Sequence, residues 1–589
     1  MIARKPLALT LALTAALSVT ACGPPSPSSS YGTEETGQVW SPMDKNGNLK
    51  RTDRDAFGEH GMVASSNVYA TMAGLEILKA GGNAVDAAVA VAYALGVAEP
   101  YTSGLGGGGF MLIHTADGQN HFLDYRETAP AAQDAYTWLD ENGELLREDI
   151  TYYGGLSVGV PGLVAGMEYA LEHYGSGELS RQEIMQPAID LANEGYQVST
   201  TMSNAINESY QHILDYPELG EYYLNEGLPY ESNAVITNPD LAKAMEQIAQ
   251  KGRDAFYTGE MAQAIVDAVQ KYGGVLSLED LAGYEVKERD PISSTYRGYE
   301  VISVPPASSG GTHLLEILNV LENYNLEAME VNSSEYLHLF SEAFKAAFAD
   351  RAEYMADTDF AEDVPLSGLI SKEYAKTIAD KITDQSQSWS PGDPSTYGHV
   401  STTSFSIADQ AGNMVTVTQT INHFFGSLVA VPGYGFVLND QMTDFSMDPE
   451  SVNCVEPGKR PLSSMSPTVV LNPDGSSLLT LGSPGGVRIF TTLAQVISHV
   501  IDHGMDIQTA IDTARIFDDG TGDGICYESG GITPVGPETV EELERMGHVT
   551  TDKGEWQLFF GGVQGIQYQE DGTLHGGADP RRDGKALGF

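Results

Sequence analysis

The chain has 589 residues, of which 41% are hydrophobic, and this is typical of a globular protein with a large buried core. Its 31 basic and 81 acidic side chains give a formal net charge of −50. So large a negative charge repels nucleic acid and anionic lipid surfaces, and we therefore expect no nucleic-acid partner.

The chain begins with MIARKPLALTLALTAALSVTAC, which has the pattern of an export signal. Arg4 and Lys5 precede an apolar stretch that ends in small residues and is too short for a membrane-spanning helix. The letters VTAC, which end at Cys22, resemble a bacterial lipobox, in which the cysteine is lipidated after cleavage. We expect a lipoprotein-type signal peptide over 1–21, a flexible tether over 22–55, and an exported, extracytoplasmic protein held at a bacterial membrane only by the lipid on Cys22. An ordinary secretory peptide with an incidental cysteine is the alternative.

The next segments predict two helices followed by two strands. Gly81 and Gly82 separate two alanine-rich helical patterns, and Asn83 with Asp86 caps the second helix. The following stretch, SGLGGGGFMLIHTADGQNHFLDYRETAP, predicts two short strands joined by a tight turn. Its glycines do not indicate a nucleotide-binding loop, because no Gly-Lys-Ser/Thr follows and the glycines lead into a strand instead of a helix. Close backbone packing beside a site explains them better.

Residues 160–380 consist mostly of amphipathic helical patterns such as NPDLAKAMEQIAQKG, in which we find no catalytic motif. The polar, proline-containing stretch TDQSQSWSPGDPSTYGHVST then predicts an exposed, flexible connection that a protease can reach. Two cysteines follow, Cys454 and Cys526, and the sequence leaves open whether they pair.

The stretch STTSFSIADQAGNMVTVTQT predicts a β-hairpin with two chemically different faces. Pairing that is symmetric about Ala411, in the turn DQAGN, makes one face largely apolar. These pairs are Phe405 with Val417 and Ile407 with Val415. The other face is lined with hydroxyl side chains, and the pairs there are Thr402 with Thr420, Ser404 with Thr418 and Ser406 with Thr416. A polar hairpin face is usually solvated, so this pattern alone does not identify a site.

Five motifs occur in order along the chain: AVDAAVAVAYALGVAEPYTSGLGGGGFML, LDYRETAP, STTSFSIADQAGNMVTVTQTIN, KRPLSSMSPT and GSPGG. Together they resemble the γ-glutamyltranspeptidase family of the N-terminal-nucleophile hydrolases, from about residue 60 to the C-terminus. The resemblance implies an α+β fold, a four-layer αββα sandwich, in a precursor that cuts itself between Ser401 and Thr402. The large subunit, 56–401, and the small catalytic subunit, 402–589, would then remain together as one globular unit.

The resemblance assigns catalysis to the threonine that cleavage exposes. Thr402 supplies the hydroxyl nucleophile, and its own freed α-amine is the base that accepts the hydroxyl proton, so no histidine is needed. An α-amine has a reference pKa of about 8, so it is substantially unprotonated at neutral to mildly alkaline pH. We expect Thr420, opposite in the hairpin, to hydrogen-bond Thr402 and orient it, and the family gives its matching residue a similar role.

The family also implies which side chains hold the substrate. Arg126 in LDYRETAP resembles the guanidinium that binds the substrate α-carboxylate, with Ser463 and Ser464 as hydroxyl partners. The residues that resemble the ammonium-binding group are Asn422, Gln441 and Asp444. Together these side chains would recognise a zwitterion. Each taken singly is explained as well by a structural or surface role, but their occurrence inside the family motifs favours binding.

The segment LLTLGSPGGVRIFTTLAQVISHVIDHG predicts a strand, a glycine turn and an amphipathic helix. Gly485 and Gly486 fall near the helix N-terminus, where backbone N–H groups can stabilise an oxyanion. The family places its oxyanion donors at this motif.

Two further patterns suggest metal binding only weakly, and we expect no metal and no organic cofactor. His499 and His503 have the i, i+4 spacing of a zinc-binding helix, but Val500 stands where a metalloprotease has glutamate. The stretch DDGTGDG over 518–524 is similar to a calcium loop, yet no glutamate occurs at the twelfth position.

These assignments predict a γ-glutamyltransferase or hydrolase that cleaves the γ-glutamyl amide bond of glutathione and related compounds. A γ-glutamyl-threonine ester would pass its acyl group to water or to an acceptor amino acid or peptide. The alternatives are a glutaryl-type β-lactam acylase, a poly-γ-glutamate hydrolase of the same fold, and an inactive membrane-anchored binding protein. Asp444 speaks against the acylase, since a glutaryl group has no α-ammonium, and the intact Thr402 and Thr420 speak against the binding protein. Only thirteen residues separate Phe445 from Lys459, fewer than in the lid loop of some family members. We therefore expect an open donor site that tolerates long γ-glutamyl chains or bulky leaving groups.

Overall fold

The structure is a computed structural model that describes residues 40–44, 49–361, 363–390 and 401–589, apart from the side chain of Ser401. The predicted signal peptide, Cys22, most of the predicted tether and residues 391–400 of the predicted connection lie outside the described residues. Within the described ranges, no helix has the length and apolar character that a bilayer-spanning segment needs.

The described residues form 21 strands and 17 α-helices. The strands are β1 (Ala56–Gly58), β2 (Gly61–Ser65), β3 (Gly108–His114), β4 (Asn120–Asp124), β5 (Tyr196–Gln197), β6 (Leu224–Asn225), β7 (Leu228–Pro229), β8 (Val235–Ile236), β9 (Lys287–Arg289), β10 (Ile292–Tyr296), β11 (Tyr299–Ser303), β12 (Ser401–Asp409), β13 (Met414–Asn422), β14 (Thr468–Leu471), β15 (Ser477–Gly482), β16 (Ile516–Phe517), β17 (Ile525–Tyr527), β18 (Thr550–Asp552), β19 (Gln564–Tyr568), β20 (Leu574–Ala578) and β21 (Lys585–Gly588). The α-helices are α1 (Val68–Lys79), α2 (Ala84–Ala98), α3 (Leu163–Tyr174), α4 (Arg181–Glu194), α5 (Thr200–Ile213), α6 (Pro217–Tyr223), α7 (Pro239–Lys251), α8 (Asp254–Tyr257), α9 (Gly259–Lys271), α10 (Leu278–Ala282), α11 (Gly310–Leu321), α12 (Ser334–Tyr354), α13 (Leu366–Leu369), α14 (Lys372–Ala379), α15 (Ile489–Ile501), α16 (Ile507–Asp512) and α17 (Pro537–Arg545).

Two seven-stranded antiparallel sheets form the centre of the molecule. Sheet A has the strand order β21-β2-β12-β13-β3-β4-β9, and sheet B has the order β1-β20-β19-β15-β14-β11-β10. β12 and β13 of sheet A pack against β15 of sheet B. Helices α1 and α2 lie on sheet A, while α11, α15 and α16 lie on sheet B. The four-layer αββα sandwich that the sequence motifs imply is therefore confirmed.

The β12–β13 pair at the centre of sheet A is the predicted hairpin. The register that symmetry about Ala411 predicts is confirmed from Thr403 to the turn. It is interrupted at Thr402, because the pairing shifts between Ser401 and Thr403. Thr402 thus lies at an irregularity and not in a regular cross-strand pair with Thr420. Such irregularities locally re-aim a side chain and are common beside active sites.

The two faces of this hairpin meet different surroundings. Its apolar side chains join the core that contains α1 and α2. Its hydroxyl face is turned towards sheet B and is buried as well, unlike the solvated face that is usual for such a pattern. Gly482 of β15 permits this close approach, since a Cβ at that residue would lie 2.3 Å from the Oγ of Ser404. The hydroxyls therefore lie between the two sheets.

The predicted helix pair and the strands after it are also confirmed. Asn83 caps α2 in a capping box with Asp86, and β3 pairs with β4 across the predicted turn. Sequence reasoning missed β10 and β11, which pair with each other at one edge of sheet B inside a stretch whose patterns predict mostly helices. Three consecutive residues of β10 are serine or threonine, and burial along β11 does not alternate, so neither strand shows a clear period-two hydrophobic pattern.

Packing begins before residue 56, ahead of the boundary predicted for the tether. Trp40 and Arg54 are both buried. The Arg54 guanidinium donates to the carbonyl oxygens of Arg582 and Gly584, each at 2.7 Å. These bonds offset part of the cost of burying the guanidinium, and they attach this part of the predicted tether to the folded body. The amino-acid sequence did not predict this packing, because a short polar segment shows no hydrophobic periodicity.

The two cysteines of the described chain do not pair. Cys454 and Cys526 are free thiols. Burial raises the pKa of the Cys526 thiol to about 11, so it stays protonated and is a poor nucleophile.

Candidate active site

A cavity of about 340 Å³ lies at the end of the β12–β13 hairpin. It gathers nearly all of the site residues that the sequence predicts, from segments that are far apart along the chain. Those that line it are Arg126, Thr402, Thr420, Asn422, Gln441, Asp444, Ser463, Ser464 and Gly486. Gly485 directly precedes the last of them. Lining residues that sequence reasoning did not single out include Arg351, Glu353, Asp448 and Glu450.

Thr402 and Thr420 lie side by side at the base of this cavity. Both are buried, and their Oγ1 atoms are 3.4 Å apart. The Thr420 Oγ1 also accepts a hydrogen bond of 2.8 Å from the backbone N–H of Asn422, which fixes its position. The predicted contact between the two hydroxyls is present, although it is longer than the usual O–H···O bond.

One end of the cavity presents hydrogen-bond donors. The hydroxyl oxygen of Ser463 accepts from the backbone N–H of Met465 at 3.1 Å, and that of Ser464 accepts from the Arg351 guanidinium at 3.2 Å. Neither hydroxyl donates to an acceptor among the residues that the structure describes. A hydroxyl has one hydrogen and two acceptor lone pairs, so each O–H can still donate to a ligand.

The other end presents acceptors. The side-chain nitrogen of Gln441 donates to Asp444 Oδ2 at 2.7 Å, and that of Asn422 donates to Asp444 Oδ1 at 3.3 Å. This turns both amide oxygens away from the carboxylate, and neither has a partner in the described part of the chain although both are buried. Asn422, Gln441 and Asp444 thus bring two unpaired amide oxygens and one carboxylate to the lining of one cavity, which suits the three N–H groups of an ammonium.

An ion pair connects the two ends. The buried Arg126 donates from Nε to the Pro461 carbonyl and from Nη2 to the Leu462 carbonyl, each at 3.3 Å. The same Nη2 lies 2.5 Å from Asp444 Oδ2. Arg126 and Asp444 thus neutralise each other in this structure, and a zwitterion could pair with each of them instead.

Glu127 is a buried carboxyl group next to Arg126 that sequence reasoning missed. Its oxygens have no hydrogen-bond partner in the described chain, and Oε2 is 4.0 Å from Arg126 Nη1. Burial raises the pKa of Glu127 to about 8, although the Arg126 guanidinium acts in the opposite direction. The Glu127 carboxyl group is therefore protonated at neutral pH. The positive charge of Arg126 can then pair with Asp444 or with a ligand. Its place beside the motif arginine is the only signal of it in the sequence.

Gly485 and Gly486 form the turn before α15. Their φ angles of 131° and 58° lie in the region that favours glycine. A short 3-10 turn, Gly486–Arg488, leads into the helix, which confirms the predicted order of strand, turn and helix. Neither glycine N–H is bonded to an acceptor in the described ranges. Because Gly486 lines the cavity together with Thr402, these amides are suited to bind an oxyanion formed there.

The metal-binding patterns noted in the sequence lie outside the lining of the Thr402 cavity. His499 is buried, and its ring centroid is 6.5 Å from that of His503. In the 518–524 loop, Asp518 accepts from the Ser341 hydroxyl at 2.6 Å and from the Gly520 N–H at 2.9 Å. The loop carboxylate is thus already bonded within the protein.

One other group among the described residues brings potential metal ligands close together, namely His338, Glu342 and His548. His338 Nδ1 and His548 Nε2 are 2.7 Å apart, which is a hydrogen bond between two imidazoles. Glu342 accepts from Lys345 Nζ at 2.6 Å and from Trp389 Nε1 at 2.8 Å. This histidine–lysine cluster is bonded within itself, and its geometry does not require an ion.

Comparisons with known proteins agree with this geometry. The Glutathione hydrolase proenzyme of Escherichia coli (strain K12) is 40% identical over 577 residues, covering 95% of this chain and 94% of that protein. The structure of cephalosporin acylase from Bacillus halodurans has a TM-score of 0.83 at 30% identity, over 94% of this chain and 99% of that chain. The Helicobacter pylori gamma-Glutamyltranspeptidase has a TM-score of 0.53 at 41% identity, over 56% of this chain and 95% of that chain. A family model described as Gamma-glutamyltranspeptidase matches residues 70–589, which include the hairpin and every wall of the cavity, so the chain belongs to the gamma-glutamyltranspeptidase family.

Proposed function

We propose that this protein is a self-cleaving γ-glutamyl hydrolase and transferase that acts on glutathione and related γ-glutamyl compounds. The observation that carries the proposal is that the donor end and the acceptor end line the same cavity as Thr402 and are joined by the Arg126–Asp444 ion pair. A γ-glutamyl group has an α-carboxylate and an α-ammonium on one carbon, and the two ends match these two charges. The Escherichia coli relative is named a glutathione hydrolase, which supports the same substrate class.

Substrate binding replaces the Arg126–Asp444 ion pair with two ion pairs, one from each of these residues to the substrate. The α-carboxylate bonds to Arg126 and to the two serine hydroxyls, and the α-ammonium bonds to Asp444 and to the two free amide oxygens. Each buried charge thus has a partner both before and after binding, which avoids the large cost of an uncompensated charge. The γ-carbonyl then faces Thr402.

The chemistry follows from the groups beside Thr402. After the Ser401–Thr402 bond is cut, the free α-amine of Thr402 accepts the proton of Oγ1 as this oxygen attacks the γ-carbonyl carbon. The N–H groups at Gly485 and Gly486 stabilise the negative charge of the tetrahedral intermediate. The amine then gives its proton to the leaving nitrogen, the C–N bond breaks, and an ester remains on Thr402. Water or an acceptor amine attacks the ester, loses a proton to the same α-amine, and frees Oγ1.

We also propose that maturation yields two associated subunits, 56–401 and 402–589, as the proenzyme names of the relatives support. β12 begins at the predicted cleavage site and is flanked in sheet A by β2 and β13. The small subunit therefore contributes central strands to both sheets, which is why the cut would not separate the halves. Export and the lipid anchor on Cys22 remain predictions about residues outside the described ranges. None of the steps above needs a metal or an organic cofactor.

The first experiment compares the intact mass and N-terminal sequences of the wild-type protein and Thr402→Ala. We expect two wild-type chains, one of which begins Thr-Thr-Ser-Phe, and an uncut variant that does not hydrolyse γ-glutamyl-p-nitroanilide. Thr416→Ala, on the same hydroxyl face but outside the cavity, is the matched control and should be cut and active. An uncut, inactive wild type would instead support the anchored binding protein.

A glutaryl-type acylase is the second candidate, because the similar Bacillus halodurans structure is a cephalosporin acylase. A glutaryl group has no α-ammonium, so it would leave Asp444 and the two amide oxygens without a partner. We expect kcat/KM for γ-glutamyl-p-nitroanilide to exceed that for glutaryl-p-nitroanilide by about 100-fold. Equal values, or the reverse preference, would assign the acylase activity.

The short segment between Phe445 and Lys459 bears on the third candidate, a poly-γ-glutamate hydrolase. It forms one rim of the cavity and places Asp448 and Glu450 there. These carboxylates would repel the further carboxylates of a poly-γ-glutamate chain, so the rim is open but electrostatically unfavourable to it. We therefore expect glutathione to be cleaved faster than poly-γ-glutamate at equal concentrations of γ-glutamyl bonds.

A further inference from the structure

Arg351 is a second arginine of the cavity, and the reaction described above gives it no part. It lies in the last turn of α12 and lines the same cavity as Thr402. Arg126 pairs with Asp444, whereas Arg351 forms no ion pair with any residue that the structure describes. A cation without a counter-ion is unusual on the wall of a binding site in so acidic a protein, and it can attract an anion.

Two serine hydroxyls hold the Arg351 side chain in place. Its Nε donates to Ser309 Oγ at 2.9 Å, and its Nη2 donates to Ser464 Oγ at 3.2 Å. The Ser309 hydroxyl in turn donates to the Ser463 carbonyl at 2.7 Å. The guanidinium is therefore fixed against the Ser463–Ser464 segment, on which the proposed carboxylate-binding hydroxyls lie.

The direction of these hydrogen bonds determines what Ser464 can do. Its oxygen accepts from Arg351, so its single hydrogen must point to another partner. Ser464 lines the cavity, and no acceptor for this hydrogen occurs among the described residues. A bond from a charged donor also polarises the hydroxyl and makes it a stronger donor. The rim charges from Glu353, Asp448 and Glu450 are negative, so an anion is favoured only at the arginine end.

We propose that Arg351 is a positioning residue for the substrate α-carboxylate. It directs the Ser464 hydroxyl into the cavity towards that carboxylate and adds a second positive charge behind it. This inference rests on the proposed γ-glutamyl function and adds to it a determinant of specificity for a free α-carboxylate.

The test compares two donors that differ only at this group, γ-glutamyl-p-nitroanilide and its α-carboxamide analogue. For Arg351→Met we expect KM for the carboxylate donor to rise about tenfold with kcat within about twofold, because the contact is the same in the ground and transition states. KM for the carboxamide should stay within about twofold of its wild-type value. Rates are divided by the fraction of chains with a free Thr402 N-terminus. Arg545→Met removes an exposed arginine from α17 and is the control for loss of charge.

A double-mutant cycle with Ser464→Ala tests whether Arg351 affects KM through the Ser464 hydroxyl. If Arg351 acts through this hydroxyl, Arg351→Met should raise KM by less than about threefold in the Ser464→Ala background. A full tenfold rise in that background, or equal losses on the carboxylate and carboxamide donors, would overturn the proposal. Should Arg351→Met fail to mature, Arg351→Lys is measured in the same way, and its KM effect must again be confined to the carboxylate donor.

Two outcomes separate this inference from the proposed function. A mature wild-type protein that cleaves neither donor contradicts the proposed function. A wild type that cleaves γ-glutamyl-p-nitroanilide, with Arg351→Met impaired only on glutathione and not on its C-terminal glycinamide, contradicts the inference alone. In that case Arg351 would bind the carboxylate of the leaving group.

Discussion

Two buried polar regions of this protein differ in how far their hydrogen-bonding atoms are already paired. At the Thr402 cavity, the amide oxygens of Asn422 and Gln441 have no partner in the described chain. In the histidine–lysine cluster around Glu342, the polar side chains bond to one another, although the cavity beside it is larger, about 530 Å³. Cavity size therefore does not identify the site. What distinguishes these two cavities is whether the buried polar atoms beside them are paired, because an unpaired buried atom is costly unless a ligand satisfies it.

The largest expected effect concerns the paired region. Glu342→Ala removes the counter-ion of the buried Lys345, and we expect a loss of about 3–5 kcal/mol in the free energy of unfolding. Denaturant unfolding measures it best in the uncut Thr402→Ala background, where a single chain unfolds. Glu542→Ala, which breaks an exposed pair with Arg545, should cost less than about 1 kcal/mol. If both variants lose the same stability, Glu342 and Lys345 do not form the tight buried pair described above.

Removal of a charge at the Thr402 cavity is expected to lower activity and not stability. Asp444→Asn keeps the side-chain shape but removes the charge that faces the substrate ammonium, and we expect kcat/KM for γ-glutamyl-p-nitroanilide to fall about 100-fold. Steady-state kinetics of the mature enzyme measure it, with Asp448→Asn on the rim as the control, which should change kcat/KM by less than about threefold. A fall of the same size for both variants would mean that only the overall charge of the cavity matters.

The sequence was sufficient to predict the parts of the site that depend on local pattern. The hairpin register follows from alternation about one turn, and the glycine turn before α15 follows from its neighbours. The irregularity at Thr402 and the places of Glu127 and Arg351 could not be predicted, because they depend on which segments meet in three dimensions. Arg351 in particular reads as an ordinary polar residue at the end of an amphipathic helix. Strands β10 and β11 were missed because their hydrophobic residues do not alternate.

A smaller effect is expected at the contact between the two threonines. Thr420→Val keeps the volume but removes the hydroxyl that lies 3.4 Å from Thr402 Oγ1. We expect kcat to fall about tenfold with KM little changed, because the contact orients the nucleophile and does not hold the substrate. Thr418→Val, one pair further along the same face, should leave kcat within about twofold. An unchanged kcat in Thr420→Val would show that the packing around Thr402 orients it without this hydroxyl.

The smallest expected effect is a pH dependence that Glu127 confers on substrate binding. The pKa of Glu127 is raised to about 8 by burial, so the group is neutral below that pH and becomes a carboxylate above it. The new charge lies 4.0 Å from Arg126 Nη1 and competes with the substrate α-carboxylate for the guanidinium. KM of the wild type should therefore rise relative to KM of Glu127→Gln by about threefold between pH 7 and pH 9. Taking the ratio of the two KM values at each pH cancels the titrations of the substrate and of the Thr402 amine, which both enzymes share. A ratio that stays constant across this range would mean that Glu127 does not ionise there, and that Arg126 keeps its full charge for the substrate at alkaline pH as well.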